Sequence, residues 1–192
     1  MLNLLRKSAA RKELGQALEQ QLAGRARAGF FYERLGVPDT LDGRFDMVAL
    51  HAWLALARLK DAGRDDAAQA LTDALFIGFD EALREQGISD MGMGRRMKAI
   101  ANAFYGRLAA YGASDTEAKM AEALARNIWR GGAVDDKARS MTAYVQSARA
   151  ALAASDLDKN LLDFGPLPMA SSSEAIGHNK TASSSEATGH KK

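Results

Sequence analysis

The stretch Arg44–Lys60, RFDMVALHAWLALARLK, sets the strongest limit on what this chain can fold into. Plotted at about 100° per residue, its large apolar side chains go all the way round. Phe45, Met47, Val48, Leu50, Leu54, Leu56 and Leu59 do not gather on one side. Such a helix needs neighbours on every face, so it belongs in the middle of a bundle. Its polar groups then carry information. Asp46 and Lys60 project close together near Trp53 and mark one wet edge. His51 and Arg58 project together on the opposite side, and Arg44 stands at the head. His51 and Arg58 lie roughly 10 Å apart along the axis, so each needs its own partner or an opening to water. Two readings stand. In one, both are satisfied structural groups: the histidine on a carbonyl, the arginine on a carboxylate such as Asp73, Asp80 or Glu81. In the other, they are the polar rim of a partner-binding surface.

The remaining segments also carry a helical period. Leu14, Leu18 and Leu22 predict a helix over 12–28. Phe30, Phe31 and Tyr32 follow as an aromatic anchor, and Pro38 bars a helix through Val37. Asp42 is the expected N-cap of the central helix. A fourth segment opens at Asp65 or Asp66 and ends near Gln86. A basic helix spans about 92–111, with Met93, Met97, Ile100, Phe104, Leu108 and Tyr111 on one arc. Ser114–Glu117 has capping-box spacing for a helix over about 115–130. Asp135-Asp136 opens another, to about Ala154, and 156–164 reads as one more short helix. No segment alternates as a strand. The fold class is all-α: one compact bundle of five to seven helices around the apolar helix at about 44–60.

Three regions are expected: a basic helix at 1–27, a helical domain at 28–165 and a polar tail at 166–192. In the tail ASSSEAIGHNK (170–180) recurs as ASSSEATGHKK (182–192). That segment is small, polar and expected to be disordered. Two of the three histidines lie in it, which makes them poor metal ligands.

Charge is uneven. The net charge is only +2, yet residues 91–113 hold Arg95, Arg96, Lys98 and Arg107 and no acid. The acidic and basic blocks either neutralise each other across the fold or leave a basic surface for an anionic partner. The N-terminus, MLNLLRKSAARKELG, is basic with leucines and lacks the apolar core of a secretory signal. It suits at most weak, reversible contact with an anionic membrane. No run of about 18 uncharged apolar residues exists. Cysteine is absent, so there is no thiol nucleophile and no thiolate metal site.

Other chemistry finds no footing. A di-metal carboxylate bundle needs Glu-x-x-His pairs, and none is present. Gly92-Met93-Gly94 has no strand before it to make a dinucleotide loop. Asp163-Phe164-Gly165 lacks every companion kinase motif. A Ser–His–Asp site would have to recruit His51 from an apolar helix. No cofactor or metal is expected, and binding is the function that remains.

Three stretches resemble the ubiquinol–cytochrome c chaperone family, in the family's order: 30–60, 75–111 and LARNIWRG at 124–131. The more specific parts are Leu-His-x-Trp-Leu…Arg-Leu-Lys at 50–60 and Ala-Arg-Asn-Ile-Trp-Arg at 125–130. The resemblance, to the bacterial branch, implies an all-α, non-enzymatic assembly factor. Such proteins bind newly made cytochrome b and help its maturation into the cytochrome bc1 complex. It also implies a site of work in the cytoplasm, at the periphery of the inner face of the membrane, or in the mitochondrial matrix for a eukaryotic chain. Mitochondrial members associate with the ribosome near the peptide exit. DNA is not an implied partner.

Three functions are therefore weighed. A client-binding chaperone would use an adaptable apolar surface from Met91, Met93, Met97, Phe30, Phe31 and Tyr32; the same residues read equally as core. Arg44, His51, Arg58 and Asp80 join them as candidate contacts. An RNA- or ribosome-binding module would use Arg95, Arg96, Lys98 and Arg107, with a salt-sensitive contact. A helical enzyme would need a cavity reaching His51.

Overall fold

A computed structural model describes residues 2–168. Among them are seven helices and no strand: α1 (Leu2–Ala26), α2 (Gly29–Glu33), α3 (Leu41–Asp61), α4 (Asp65–Glu85), α5 (Asp90–Gly112), α6 (Glu117–Ile128) and α7 (Asp136–Ala153). The fold is all-α, as the periodicity requires. The repeats at 170–192 lie outside the described residues.

The apolar stretch is α3, and it touches α1, α4, α5, α6 and α7. Met47, Ala49, Leu50, Ala52 and Ala55 are fully buried along it. Each fully buried large side chain of this kind contributes about 1.5–3 kcal/mol, so α3 organises the core. Its start differs from expectation. Thr40, not Asp42, is the cap, its hydroxyl accepting from the Gly43 amide at 3.2 Å. The Pro38 loop folds over this first turn. A Cβ on Gly43 would collide with the Pro38 carbonyl, so only glycine lets the loop lie there.

The leucine period marks a helix only from residue 12, whereas α1 runs from Leu2, through the stretch expected as a basic helix. MLNLLRKSAARKEL contains no breaker and is rich in good helix formers, so the helix runs from Leu2. Leu18, Leu22 and Ala26 bury its inner face, and Gly15 sits against the Ala70 carbonyl of α4. Thr116, not the Ser114 of the expected capping box, caps α6, its hydroxyl accepting from the Lys119 amide, and Asp135 caps α7 as expected. Beyond α7, the predicted short helix is a single turn, Leu157–Lys159. Asn160 ends it in the left-handed conformation, φ 55°. Residues 160–165 then run along α1, tied by two bonds to the Gln21 amide: to the Asn160 carbonyl at 3.0 Å and from the Leu162 amide at 2.9 Å.

Candidate functional site

Two polar centres on α3 and one exposed surface make up the chemistry of the molecule. The first centre is His51. Its Nδ1 lies 2.7 Å from the Met47 carbonyl, which can only accept, so Nδ1 carries the proton. Nε2 therefore accepts from the Tyr144 hydroxyl at 2.7 Å. The Tyr144 oxygen in turn accepts from Arg25 Nε at 3.0 Å, and the Arg25 guanidinium also holds the Phe164 and Gly165 carbonyls. Phe31, Tyr144 and Phe164 pack their rings around the imidazole. Burial pushes the His51 pKa down from 6.5 to about 4, so the ring is neutral at physiological pH. A sealed, doubly bonded imidazole has no access to an outside substrate. The expectation of a carbonyl-bonded histidine holds.

Arg58 does not pair with Asp73, Asp80 or Glu81. Its Nε donates to the Leu152 carbonyl at 2.8 Å. The last carbonyls of a helix lack intrahelical donors, and Arg58 serves one at the end of α7. Asp73 is taken by Arg11 and Asp80 by Arg84.

The second centre is Asp46. The sequence places it on a wet edge with Lys60; the structure buries it completely. Arg107 donates to Oδ1 at 2.6 Å from α5. Arg130 brings Nη1 to 2.9 Å from Oδ2, off the line a hydrogen bond needs, so that contact is Coulombic. Desolvation raises the Asp46 pKa, and the two guanidiniums oppose it. Arg107 also stacks over Phe45 at 4.9 Å. Projection put Asp46 at an edge because it cannot see α5 and α6 closing over that side. Beside Asp46, the buried Tyr111 hydroxyl and Asn127 amide lie within reach of each other, without a well-aligned hydrogen bond. Trp129 Nε1 donates to the Gly36 carbonyl at 3.1 Å and holds the end of α6 against the Pro38 loop.

The exposed surface lies over α4 and α5. Phe76 stacks on Tyr105 with ring centroids 5.9 Å apart, above Phe79 and Phe104. Tyr105 is 52 % exposed, and Ile77, which follows Phe76 on α4 and lines its seam with α1, is 48 % exposed. Met91 is 98 % exposed at the start of α5. Arg95, Arg96 and Lys98 are exposed there and form no ion pair among the described residues. Arg107, expected with them, is turned inward to Asp46. The other candidates are scattered. Phe31, His51 and Met93 are buried; Phe30 and Tyr32 are half-buried. Arg44 pairs with Asp39 at the surface. Tyr144, Arg25, Phe76, Ile77 and Tyr105 were not singled out by sequence reasoning. A signal existed for Ile77 and Tyr105: large apolar side chains off the buried stripe of their own helices.

The comparisons with known proteins fit this geometry. The model of the family described as ubiquinol-cytochrome C chaperone matches residues 33–162. The chain belongs to that family. Among solved structures it is similar to one titled as the Cbp3 homolog from Brucella abortus, with TM-score 0.72 and 35% identity over 87% of this chain and 96% of that chain. It is also similar to ubiquinol-cytochrome-c reductase complex assembly factor 1 of Xenopus laevis, 26% identical over 102 residues. The match takes in 51% of each chain, so this chain spans about half the length of that curated relative. The chaperone-family match contains Asp46, His51, Arg107, Arg130 and Tyr144, the side chains that make both buried centres. Arg25 and Phe164, which close the His51 centre, lie outside it.

Proposed function

We propose that this member of the chaperone family holds newly made cytochrome b while the cytochrome bc1 complex is built, and makes or breaks no covalent bond. The working unit is 28–165, and the work is done at the cytoplasmic side of the membrane, where that client first appears. One observation carries the reading. Phe76 and Tyr105 form an apolar platform left open on a packed bundle, with exposed Ile77 following Phe76 on α4, whereas the His51 and Asp46 centres are sealed. Apolar surface rimmed by polar groups marks a protein-binding site more than chance exposure does. Such a platform can cover an apolar client segment transiently. Phe31, His51 and Met93 are buried in the core and do not meet the client. None of the described helices is long and apolar enough to cross a membrane.

Photocrosslinking from Ile77 and Tyr105 in cells tests this, with a probe at buried Phe31 as the control. Cytochrome b captured from 77 and 105 alone is the expected result. Normal levels of assembled bc1 complex in a deletion strain would overturn the reading. The three unpaired cations at the start of α5 favour an accompanying contact with ribosomal RNA. Reversing Arg95 and Arg96 should then weaken ribosome binding with a marked salt dependence.

A further inference from the structure

α1 and α4 run side by side in the same direction. Gly15 meets Ala70 and Ala74 near their start, and further along Glu19 comes within electrostatic reach of Glu81. On the side away from α3 their seam opens into a groove of about 700 Å³. Ala70, Ala74, Gly78 and Ala82 floor it in a row along α4, so another backbone can come close. Internal packing does not account for Gly78. A Cβ there would meet nothing within 4 Å, and glycine inside a helix costs about 1 kcal/mol relative to alanine. The two walls differ in sign. α1 supplies Arg11, Lys12 and Arg27 against one acid, Glu19. α4 supplies Asp73, Glu81 and Glu85 and no base, with Ile77 the one large apolar side chain of the lining. Arg11 and Asp73 pair across the seam within one copy, which leaves Lys12 and Arg27 against Glu19 on one wall and Glu81 and Glu85 on the other.

We propose that this groove takes the same groove of a second copy of this chain, in a two-fold pair whose axis runs parallel to the two helices. That operation sets each α1 opposite the α4 of the other copy at equal height. Arg27 then faces Glu81 and Glu85, Lys12 lies at the level of the other copy's Arg11–Asp73 pair, and Gln16 and Gln20 lie over the small row. A two-fold axis across the helices would set like walls against each other and is repelled. The self-complementarity therefore selects one arrangement. From Ala70 to Glu85 the seam is roughly 22 Å long. Two helices wide, it covers roughly 450 Å² per copy, against about 800 Å² in a standard interface. The pair is accordingly weak and sensitive to salt.

Sedimentation equilibrium of the full chain, from about 10 to about 500 µM, tests it at low salt and at about 0.5 M salt. The expected result is a dimer whose dissociation constant rises at least about tenfold at high salt. Glu81→Lys with Glu85→Lys makes both walls positive; Lys12→Glu with Arg27→Glu makes both negative. All four side chains are exposed, so both variants keep the helical circular dichroism of the parent. Each alone is expected to be monomeric, and an equimolar mixture is expected to associate. Gly78→Leu, which fills the floor, is expected to fold and to dimerise less. A parent chain monomeric throughout, variants that each pair like the parent, a mixture that stays apart, or undiminished pairing of Gly78→Leu would each overturn the proposal.

Discussion

α3 buries two polar side chains, His51 and Asp46, and the molecule settles them in opposite ways. His51 is neutral, and the groups it needs are a carbonyl one turn away on its own helix and a single phenol. Asp46 is charged. It draws one guanidinium from α5 and a second from beyond the end of α6, where Arg130 adopts a left-handed backbone, φ 58°. The His51 centre matches both ring nitrogens. The Asp46 centre leaves Oδ2 without an aligned donor, and the Tyr111 and Asn127 groups beside it are poorly aligned on each other. A neutral group can be absorbed by what a bundle already offers, whereas a carboxylate recruits distant charge and leaves some polar groups unmatched.

The largest expected effect comes from breaking the charged centre. Arg107→Ala leaves Asp46 buried with only the misaligned Arg130, and should cost about 3–5 kcal/mol in urea unfolding. Asp46→Leu combined with Arg107→Leu should cost less than Arg107→Ala alone, because no buried charge is stranded. A single-variant loss below about 1 kcal/mol would show that Arg130 suffices and would erase the contrast with His51.

Acid comes next, and it strikes the neutral centre. The His51 pKa is about 4 in the folded chain and 6.5 when exposed. As pH falls through 6.5, the unfolded chain takes up a proton that the folded chain refuses. The stability linked to His51 is therefore complete above 6.5 and is lost as pH falls towards 4. The total is on the order of 3 kcal/mol. His51→Asn should flatten the slope of stability against pH in that window; an unchanged slope would mean that the imidazole is hydrated.

The two centres were not equally legible in the sequence. His51 was readable as a carbonyl-bonded core histidine because that partner sits four residues back on the same helix, where helical geometry alone places it. Tyr144 was not readable as its second partner, because no local rule links α3 to α7. Asp46 was misplaced for the same reason. A helical projection shows an isolated helix, and burial on that face is imposed by α5 and by Arg130. Arg58 shows the limit again: the sequence offers three carboxylates, but the packing brings the Leu152 carbonyl. The fold was more legible than the site. Periodicity found the long helices, since each must bury its apolar side chains, and the errors fell at ends, where Thr40, Thr116 and Asn160 decide.

A smaller effect sharpens the account of His51. Tyr144→Phe keeps the ring that packs on Phe31 at 4.9 Å, but removes the hydroxyl between His51 and Arg25. His51 Nε2 loses its donor and Arg25 Nε its acceptor, a loss of about 1–3 kcal/mol. A double-mutant cycle with Arg25→Ala should show strong coupling, because both changes break one chain of bonds. Additive losses would mean that Arg25 acts through the Phe164 and Gly165 carbonyls alone.

The smallest expected effect tests how much Arg130 matters to Asp46. Its side chain is 47% exposed, so solvent discounts the attraction. Its left-handed backbone costs of order 1 kcal/mol, which glycine would relieve. Arg130→Gly therefore loses a screened contact and sheds a strain, and its net change should stay within about 1 kcal/mol. Arg130→Ala keeps the strain and loses the contact, so it should be the less stable of the two by thermal unfolding. Were alanine equal to the parent, Asp46 would need Arg107 only, and both buried centres of α3 would rest on a single decisive side-chain partner each.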